Sequence, residues 1–432
     1  MSSQIIDRFV RDIPRGWRRV SIGGALREVS EPVRMRDSEL YRLVSIRRRN
    51  GGMFLRNQLY GRQILTKDLQ KVIPGSFAIA RRQIIHGASA LATDGFAGAV
   101  LSSSYSLFVG QDGCVTEFFA WLARHPLMYA YFLDASHGIV IEKMNFDVQR
   151  WLSYPINLPP VREQVRIVEI LDTTDEAIRS MERLIAKLEQ VRHGLLHDLL
   201  TRGVDESGRL RDPDRLRATP FGRVPKEWVV GPLDNVLTRI DAGKSPNLPD
   251  RPAHAGAWGV LKVSAIRPDG LQEAENKAVI SPSMIDPSIE VRNGDLLISR
   301  ANTTALVGLV CYVRDPRPFL MLSDKTLRLN IDSNFALAEF IGYLLQESSS
   351  RRQIETSGTG SSGSMKNISQ DEIRSLVLPL PGIQEQYRIL ASLESSRKRL
   401  DVLRREVSKL RLLKTGLMDD LLVGRVRVGA HA

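Results

Sequence analysis

A chain of 432 residues, 43% hydrophobic and 25% charged, has room for two or three globular domains with separate cores. Its formal charge of +12 points to a polyanionic partner. Two cysteines, Cys114 and Cys311, exclude a disulfide framework or a structural zinc site. No stretch approaches the roughly 18 apolar residues of a membrane span, and "MSSQIIDRFVRDIPRGW" lacks the apolar core of a secretory signal, so the expected compartment is the cytoplasm.

In chain order, "IPRGW" (Ile13–Trp17) opens the first globular segment. "LVSIRRRNG" (Leu43–Gly51) reads as an apolar strand that runs into a basic glycine turn. "PGSFAIAR" (Pro74–Arg81) is a strand entered through a turn, and Asn145-Phe146 lies near the end of the segment. "PPVREQVRIVEIL" then starts a long helix at Pro159. The same order follows again. "VPKEW" (Val224–Trp228) opens the second segment, and "KVSAIRPDG" (Lys262–Gly270) and "NGDLLISR" (Asn293–Arg300) occupy its interior. Asn367-Ile368 precede "PGIQEQYRILASL" at Pro381.

Residues 158–204 align with 380–426 without a gap at an offset of 222, and an internal repeat outranks any local motif as a guide to architecture. Positions 164, 167, 171, 174, 178, 181, 185, 188, 192, 195 and 199 alternate steps of three and four and read Gln, Ile, Leu, Thr, Ile, Met, Ile, Leu, Arg, Leu, Leu. The second copy, from Gln386, reads Gln, Ile, Leu, Ser, Leu, Leu, Val, Leu, Lys, Leu, Leu. This is an a/d heptad seam with polar breaks at the same three places. Proline precedes each run, and Gly203 and Gly424 follow them. Each helix, at about 38 residues and 1.5 Å per residue, spans roughly 57 Å.

The expected fold class is α+β: two pseudo-repeated globular recognition domains separated by two long helices that form an antiparallel coiled coil. The boundaries are a first globule at 1–158, a first spacer helix at 159–204 and a linker at 205–220. A second globule at 221–379, a second spacer helix at 380–426 and a tail at 427–432 complete the chain. Lys and Arg outnumber Asp and Glu by 21 to 13 in residues 1–157 and by 11 to 6 in residues 380–432, whereas residues 205–379 balance at 22 each. A single chain with approximate twofold symmetry matches the local twofold axes of duplex DNA, on which paired readers contact separated half-sites.

The motifs that resemble catalytic or cofactor sites fail on context. "GTGSSG" (Gly358–Gly363) spells G-x-G-x-x-G but lacks the preceding strand and following helix of a dinucleotide site, and reads as a flexible loop near a DNA backbone. "AGKSP" (Ala242–Pro246) imitates the tail of a phosphate-binding loop, yet Thr238 stands where the first glycine belongs and Pro246 where the helix starts. His193 and His197 are spaced for a metal on one helix face, but they become Thr415 and Asp419 in the second copy. No methyltransferase, nuclease or hydrolase signature is present in a suitable setting. The chain is expected to be non-catalytic, with no metal and no cofactor of its own.

The positive candidates are polar clusters on loops between strands. Arg47, Arg48, Arg49 and Asn50 precede a double-glycine turn, and Arg81, Arg82 and Gln83 end the "FAIA" strand. Their counterparts are Lys262, Arg267, Arg300 and Asn302. Lys143 with Asn145, and Lys366 with Asn367, complete the set of DNA-contact candidates. Arginine bridges guanine O6 and N7 and amides pair with adenine, each good bidentate contact contributing roughly 1–3 kcal/mol of discrimination. Lysines and further arginines hold phosphates.

Two segments opened by "IPxxW" or "VPxxW", each closed by "L-P-x-x-x-E-Q" and a long helix, resemble the specificity subunit of type I restriction–modification systems across essentially the whole chain. The resemblance implies that each globule is a target-recognition domain reading one half of a split, asymmetric DNA sequence. It also implies that the coiled coil spaces the domains and docks two methyltransferase subunits, with Glu163, Gln164, Arg166, Glu385, Gln386 and Arg388 as the docking residues. S-adenosylmethionine would belong to those partners, and ATP and magnesium to restriction subunits. The first globule departs from the family pattern, with "PGSFAIARRQ" where an acidic "GD" is usual. The rival expectations are a coiled-coil scaffold whose globules bind other proteins, and an enzyme without familiar motifs.

Overall fold

A computed structural model describes residues 12–138, 144–219, 222–303, 306–362 and 365–428. The chain divides into two compact units. The first joins residues 1–183 to residues 404–432, and the second is residues 184–403.

In the first unit, strands Leu26–Val29, Tyr105–Gly110, Phe77–Ala80 and Ser89–Leu91 form one antiparallel sheet in that order. A second sheet orders Met53–Tyr60, Leu40–Ile46, Val100–Ser102 and Leu69–Lys71, with its two central strands parallel. The expected "FAIA" strand is buried along its whole length, as a strand with apolar cover on both faces requires. Helices Thr116–Leu122, Pro126–Asp134 and Val148–Leu152 cover the first sheet with a core rich in aromatic residues. Trp151 sits among Phe108, Phe119, Phe132 and Phe146 at ring separations of 5.4–5.8 Å.

The second unit repeats this plan with an aliphatic core. Strands Leu237–Ala242, Thr326–Ile331, Leu296–Ser299 and Val310–Tyr312 reproduce the first sheet's order. Asn276–Ala278, Gly259–Leu261 and Leu320–Met321 reproduce the second in shortened form, including its parallel pair. In each unit a two-stranded ribbon hands the chain to its helix. Arg18–Ser21 pairs with Pro155–Leu158, and Val229–Pro232 pairs with Val377–Leu380.

The long helices run over Val161–Thr201 and Ile383–Leu421. All eleven seam positions in each are buried or half-buried, as the heptad reading requires. In the first unit, Asp175 pairs with Lys414 and Glu182 with Arg411 at 2.5 Å, so that ascending positions on one helix meet descending positions on the other. Lys414 is one of the matched polar breaks, and its partner specifies this register. In the second unit, Leu199, Leu200 and Val204 at the end of one helix share a core with Ile389 and Leu393 at the start of the other. Each unit therefore holds an antiparallel pair of helix segments.

Two expectations change. The linker at 205–220 carries a turn closed on Asp205 and a strand, Leu216–Thr219, paired with Gly222–Pro225. Within "GTGSSG", Thr359–Ser362 is a strand paired with Met365–Asn367 after helix Ser348–Ser357 rather than a loop, and Gly363 lies outside the described residues. Among the described residues, no helix is long and apolar enough to cross a membrane.

Candidate nucleic-acid interface

The basic turn of the first unit is held by backbone hydrogen bonds. Arg49 and Asn50 adopt left-handed conformations (φ 56° and 54°), which side chains other than glycine resist unless their surroundings enforce them. The enforcement is visible. Arg49 N donates to His86 O at 2.7 Å and Asn50 N to Gly87 O at 2.8 Å, pinning the turn to the segment that follows the "FAIA" strand. Gly87 is itself left-handed, and a Cβ there would stand 3.3 Å from Asn50 N. The pinning joins two clusters that are separate in sequence: Arg48 and Arg49 on one segment, Arg82 and Gln83 on the other, all exposed.

Arg47 is exposed and stacks its guanidinium 4.3 Å from the centre of the Phe54 ring. Arg81 is half-buried, donates to Ser106 Oγ at 2.9 Å and lies 3.9 Å from Glu28. Asn50 differs from the expectation that its amide reads a base: its Oδ1 is buried with no hydrogen-bond partner. Its backbone holds the turn, and its carbonyl oxygen does not face outward. Asn145 lies apart on a ribbon paired with Ser136–His137, and Lys143 falls outside the described residues.

The second unit assembles its cluster differently. Ala301–Asn302 pairs with Met365–Asn367, setting Asn302 opposite Lys366 and Ala301 opposite Asn367. Ile368 N donates to Arg300 O at 3.0 Å and extends the pairing by one residue. Arg300, Asn302, Lys366 and Asn367 thus share one small sheet. Asn302 Oδ1 accepts from Thr303 N at 2.9 Å, so its oxygen is spent locally. Arg267 is exposed on the hairpin Ile266–Leu271, and Lys262 pairs with Asp250 at 2.6 Å; neither lies on that sheet.

The residues expected to dock a partner have another role. Glu163, Gln164, Glu385 and Gln386 are all buried, and their side chains are used inside the chain. Gln164 Nε2 donates to Pro159 O and Gly113 O, while its Oε1 accepts from Val115 N, all at 2.7–2.8 Å. Gln386 does the same with Pro381 O, Phe335 O and Leu337 N at 2.8–3.1 Å. Each glutamine stitches the first turn of its helix to a loop of its own globule.

The preceding glutamate takes the indole of the opening motif. Trp17 Nε1 donates to Glu163 Oε2 at 3.1 Å, and Trp228 Nε1 lies 3.3 Å from both oxygens of Glu385. An arginine from beyond the other helix completes each site. Arg427 holds Glu163 through two bonds of 2.7 Å, and Arg211 holds Glu385 through two contacts, one at 2.8 Å. A carboxylate taken out of water needs such a partner. These partner sets were not legible in the repeat, because Arg211 and Arg427 are not at the 222-residue offset. The sequence signal that was available is a glutamate recurring inside an apolar helix start. Arg166 is exposed beside Glu169 at 2.8 Å, and Arg388 is half-buried.

Neither cysteine is placed as a nucleophile. Cys114 and Cys311 are buried, and that burial pushes both thiols up to about 12. His193 is exposed, and His197 lies 3.1 Å from Glu347. Among the described residues, no three His, Cys, Asp or Glu converge as metal ligands.

Residues 54–190 match the family model of the type I restriction modification DNA specificity domain. The chain is 31% identical over 203 residues to the EcoEI specificity subunit of Escherichia coli, a match covering 47% of this chain and 34% of that protein. It is 28% identical to the putative MjaX specificity subunit of Methanocaldococcus jannaschii, over 63% of this chain and 59% of the relative. A match to the EcoKI specificity subunit of Escherichia coli, at 22% identity, covers 84% and 76%. The chain therefore spans about a third and three-fifths of the first two of these relatives. Among solved structures, a chain described under complex assembly and conformational transition of the type I R-M system aligns at a TM-score of 0.56 and 20% identity, covering 96% of this chain and all of that one. The specificity subunit from M. genitalium aligns at 0.55 and 13%, covering 94% and 96%. At these identities the structural matches show the fold.

Proposed function

We propose, for a chain that carries a type I restriction–modification DNA specificity domain and has the fold of the specificity subunits, that it is the sequence-reading subunit of such a complex. Each globule reads one half of a split duplex target. One observation carries the reading: the same two-sheet scaffold occurs twice, and each copy gathers arginine and amide side chains from separate segments onto one surface, by different local means. A duplicated scaffold with divergent polar clusters suits two recognitions of different sequences. Arg48, Arg49, Arg82 and Gln83 serve the first half-site, and Arg300, Asn302, Lys366 and Asn367 the second. Remaining lysines and arginines hold phosphates.

The chain reads and does not cut or methylate. Two methyltransferase subunits, using S-adenosylmethionine, dock along the helices, and restriction subunits using ATP and magnesium join them. With Glu163, Gln164, Glu385 and Gln386 turned inward, docking falls to the exposed helix faces, to which Arg166 belongs. The test is a map of methylated bases in cells with and without this gene. Loss of one asymmetric split motif on deletion is the expected result. A scaffold for other proteins predicts an unchanged map and binding that does not weaken with salt; a DNA reader weakens steeply through counterion release.

A further inference from the structure

The "AGKSP" segment, which fails as a nucleotide loop, borders a well-formed hollow of the second unit. Gly243 N donates to Ser323 O at 3.1 Å, and a Cβ at Gly243 would stand 1.9 Å from Leu322 O. The loop is thereby pressed against the segment after strand Leu320–Met321. The result is a cavity of about 440 Å³ with an aliphatic floor. Lys262, Lys277 and Lys325 line it, together with Ser245, Asn247 and Ser323, and no carboxylate is among its lining residues. Nearby acids are engaged: Asp250 pairs with Lys262, and Asp324 accepts from Ser245. Lys244 adds a fourth ammonium on the same exposed loop.

General basicity does not explain this convergence, since residues 205–379 carry equal numbers of positive and negative side chains. One lining residue is tied to the candidate reading cluster: Arg300 N donates to Lys325 O at 2.8 Å. Ammonium groups and hydroxyls around an open hollow suit tetrahedral oxyanions, and lysine holds a phosphate as a point charge without reading a base. We propose that Lys262, Lys277 and Lys325 form a phosphate-binding cavity that grips the DNA backbone beside the half-site read from Arg300 and Asn302. The proposal rests on the DNA-reading function and adds to it a sequence-independent anchor in the globule whose overall charge is neutral.

The experiment titrates the full chain with a labelled duplex over a range of salt, comparing wild type with Lys277→Gln/Lys325→Gln and Lys277→Arg/Lys325→Arg. Melting temperatures confirm that each variant folds. The glutamine variant is expected to weaken binding to all duplexes alike and to flatten the slope of log K against log salt by about 2, at roughly 0.9 per phosphate contact. The arginine variant is expected to keep the wild-type slope, which also covers the case in which the glutamine variant fails to fold. An unchanged slope in a folded glutamine variant overturns the cavity while leaving DNA reading intact. Wild type that binds no duplex defeats the functional reading and the proposal together. In a parallel calorimetric titration, ATP or inorganic phosphate bound by wild type and lost in the glutamine variant, with duplex affinity unchanged, would make this a small-anion site and overturn the DNA assignment.

Discussion

The two units fasten globule to helix with the same three residue types, but not equally deeply. In the second, Arg211 has a side chain only 11% exposed, and Glu385 also accepts from Val204 N at 2.9 Å. In the first, Arg427 is 36% exposed, and Glu163 accepts from Trp17 and Arg427. The chemistry is matched while the solvent is not. A pair shielded from water is weakened less by screening and leaves a more costly orphan when broken. The second junction is therefore expected to be the stronger of the two, although its globule has the smaller aromatic core.

The largest effect separating the two should come from removing the carboxylates. Glu385→Ala strands a buried guanidinium, an indole N–H and a backbone N–H, and is expected to destabilise by about 3–5 kcal/mol. Glu163→Ala leaves Arg427 able to reach water and should lose about 1–3 kcal/mol. Denaturant unfolding followed by a probe in each unit would rank them, and equal losses would refute the burial argument. The glycines give a second contrast. A Cβ at Gly203 (φ 61°) would stand 2.2 Å from Glu385 Oε1 and 2.6 Å from the Trp228 ring, while one at Gly424 (φ 72°) would meet Pro14 at 2.5 Å and Trp17 at 3.0 Å. Gly203→Ala is expected to destabilise by ~2–3 kcal/mol through strain and overpacking, and Gly424→Ala by less.

A smaller effect tests the indoles. Trp228→Phe and Trp17→Phe keep an aromatic ring and remove one donor each, about 1 kcal/mol apiece, again larger in the second unit. The smallest is confined to the first. His125 is buried, its Nδ1 accepts from Leu127 N at 3.2 Å, and its Nε2 faces Asp419 at 3.1 Å. Burial, only partly offset by Asp419, holds its pKa below the usual 6.5. The unfolded chain thus takes up this proton more readily than the folded one. The stability from a neutral His125 is fully present above about pH 6.5 and declines as pH falls through the lowered value. Melting temperatures of wild type and His125→Gln at pH 7.5 and 5.5 should diverge, with wild type losing more on acidification.

The long helices and the central strands were legible because each has a strong period and occurs twice. Eleven seam positions per helix are buried or half-buried as read, and "FAIA" and "LLIS" occupy equivalent strands. Position in the repeat could not reveal which face of a helix start is inward, so the Glu-Gln pairs were assigned to a partner when they are internal fasteners. Arg211 and Arg427 were passed over as linker and tail because their partners are 174 and 264 residues away in sequence. The burial of Asn50 Oδ1 was hidden for a related reason: a left-handed turn locked by a distant loop leaves no mark beyond its neighbouring glycines. Nor could the sequence show that Arg49 lies against His86 or that Asn302 stands opposite Lys366, because each neighbour comes from a distant segment.

The central claim is that the two globules read separate halves of one target. The measurement that tests it most directly is selection of bound duplexes from a random library by the full chain with the proposed methyltransferase partner, for wild type, Arg48→Gln/Arg49→Gln and Arg300→Gln/Asn302→Ala. The account predicts that each variant loses sequence preference in one half of the target, a different half for each, while the other half and the spacing persist. Loss of preference in both halves from either variant, or in neither half from both, would contradict it.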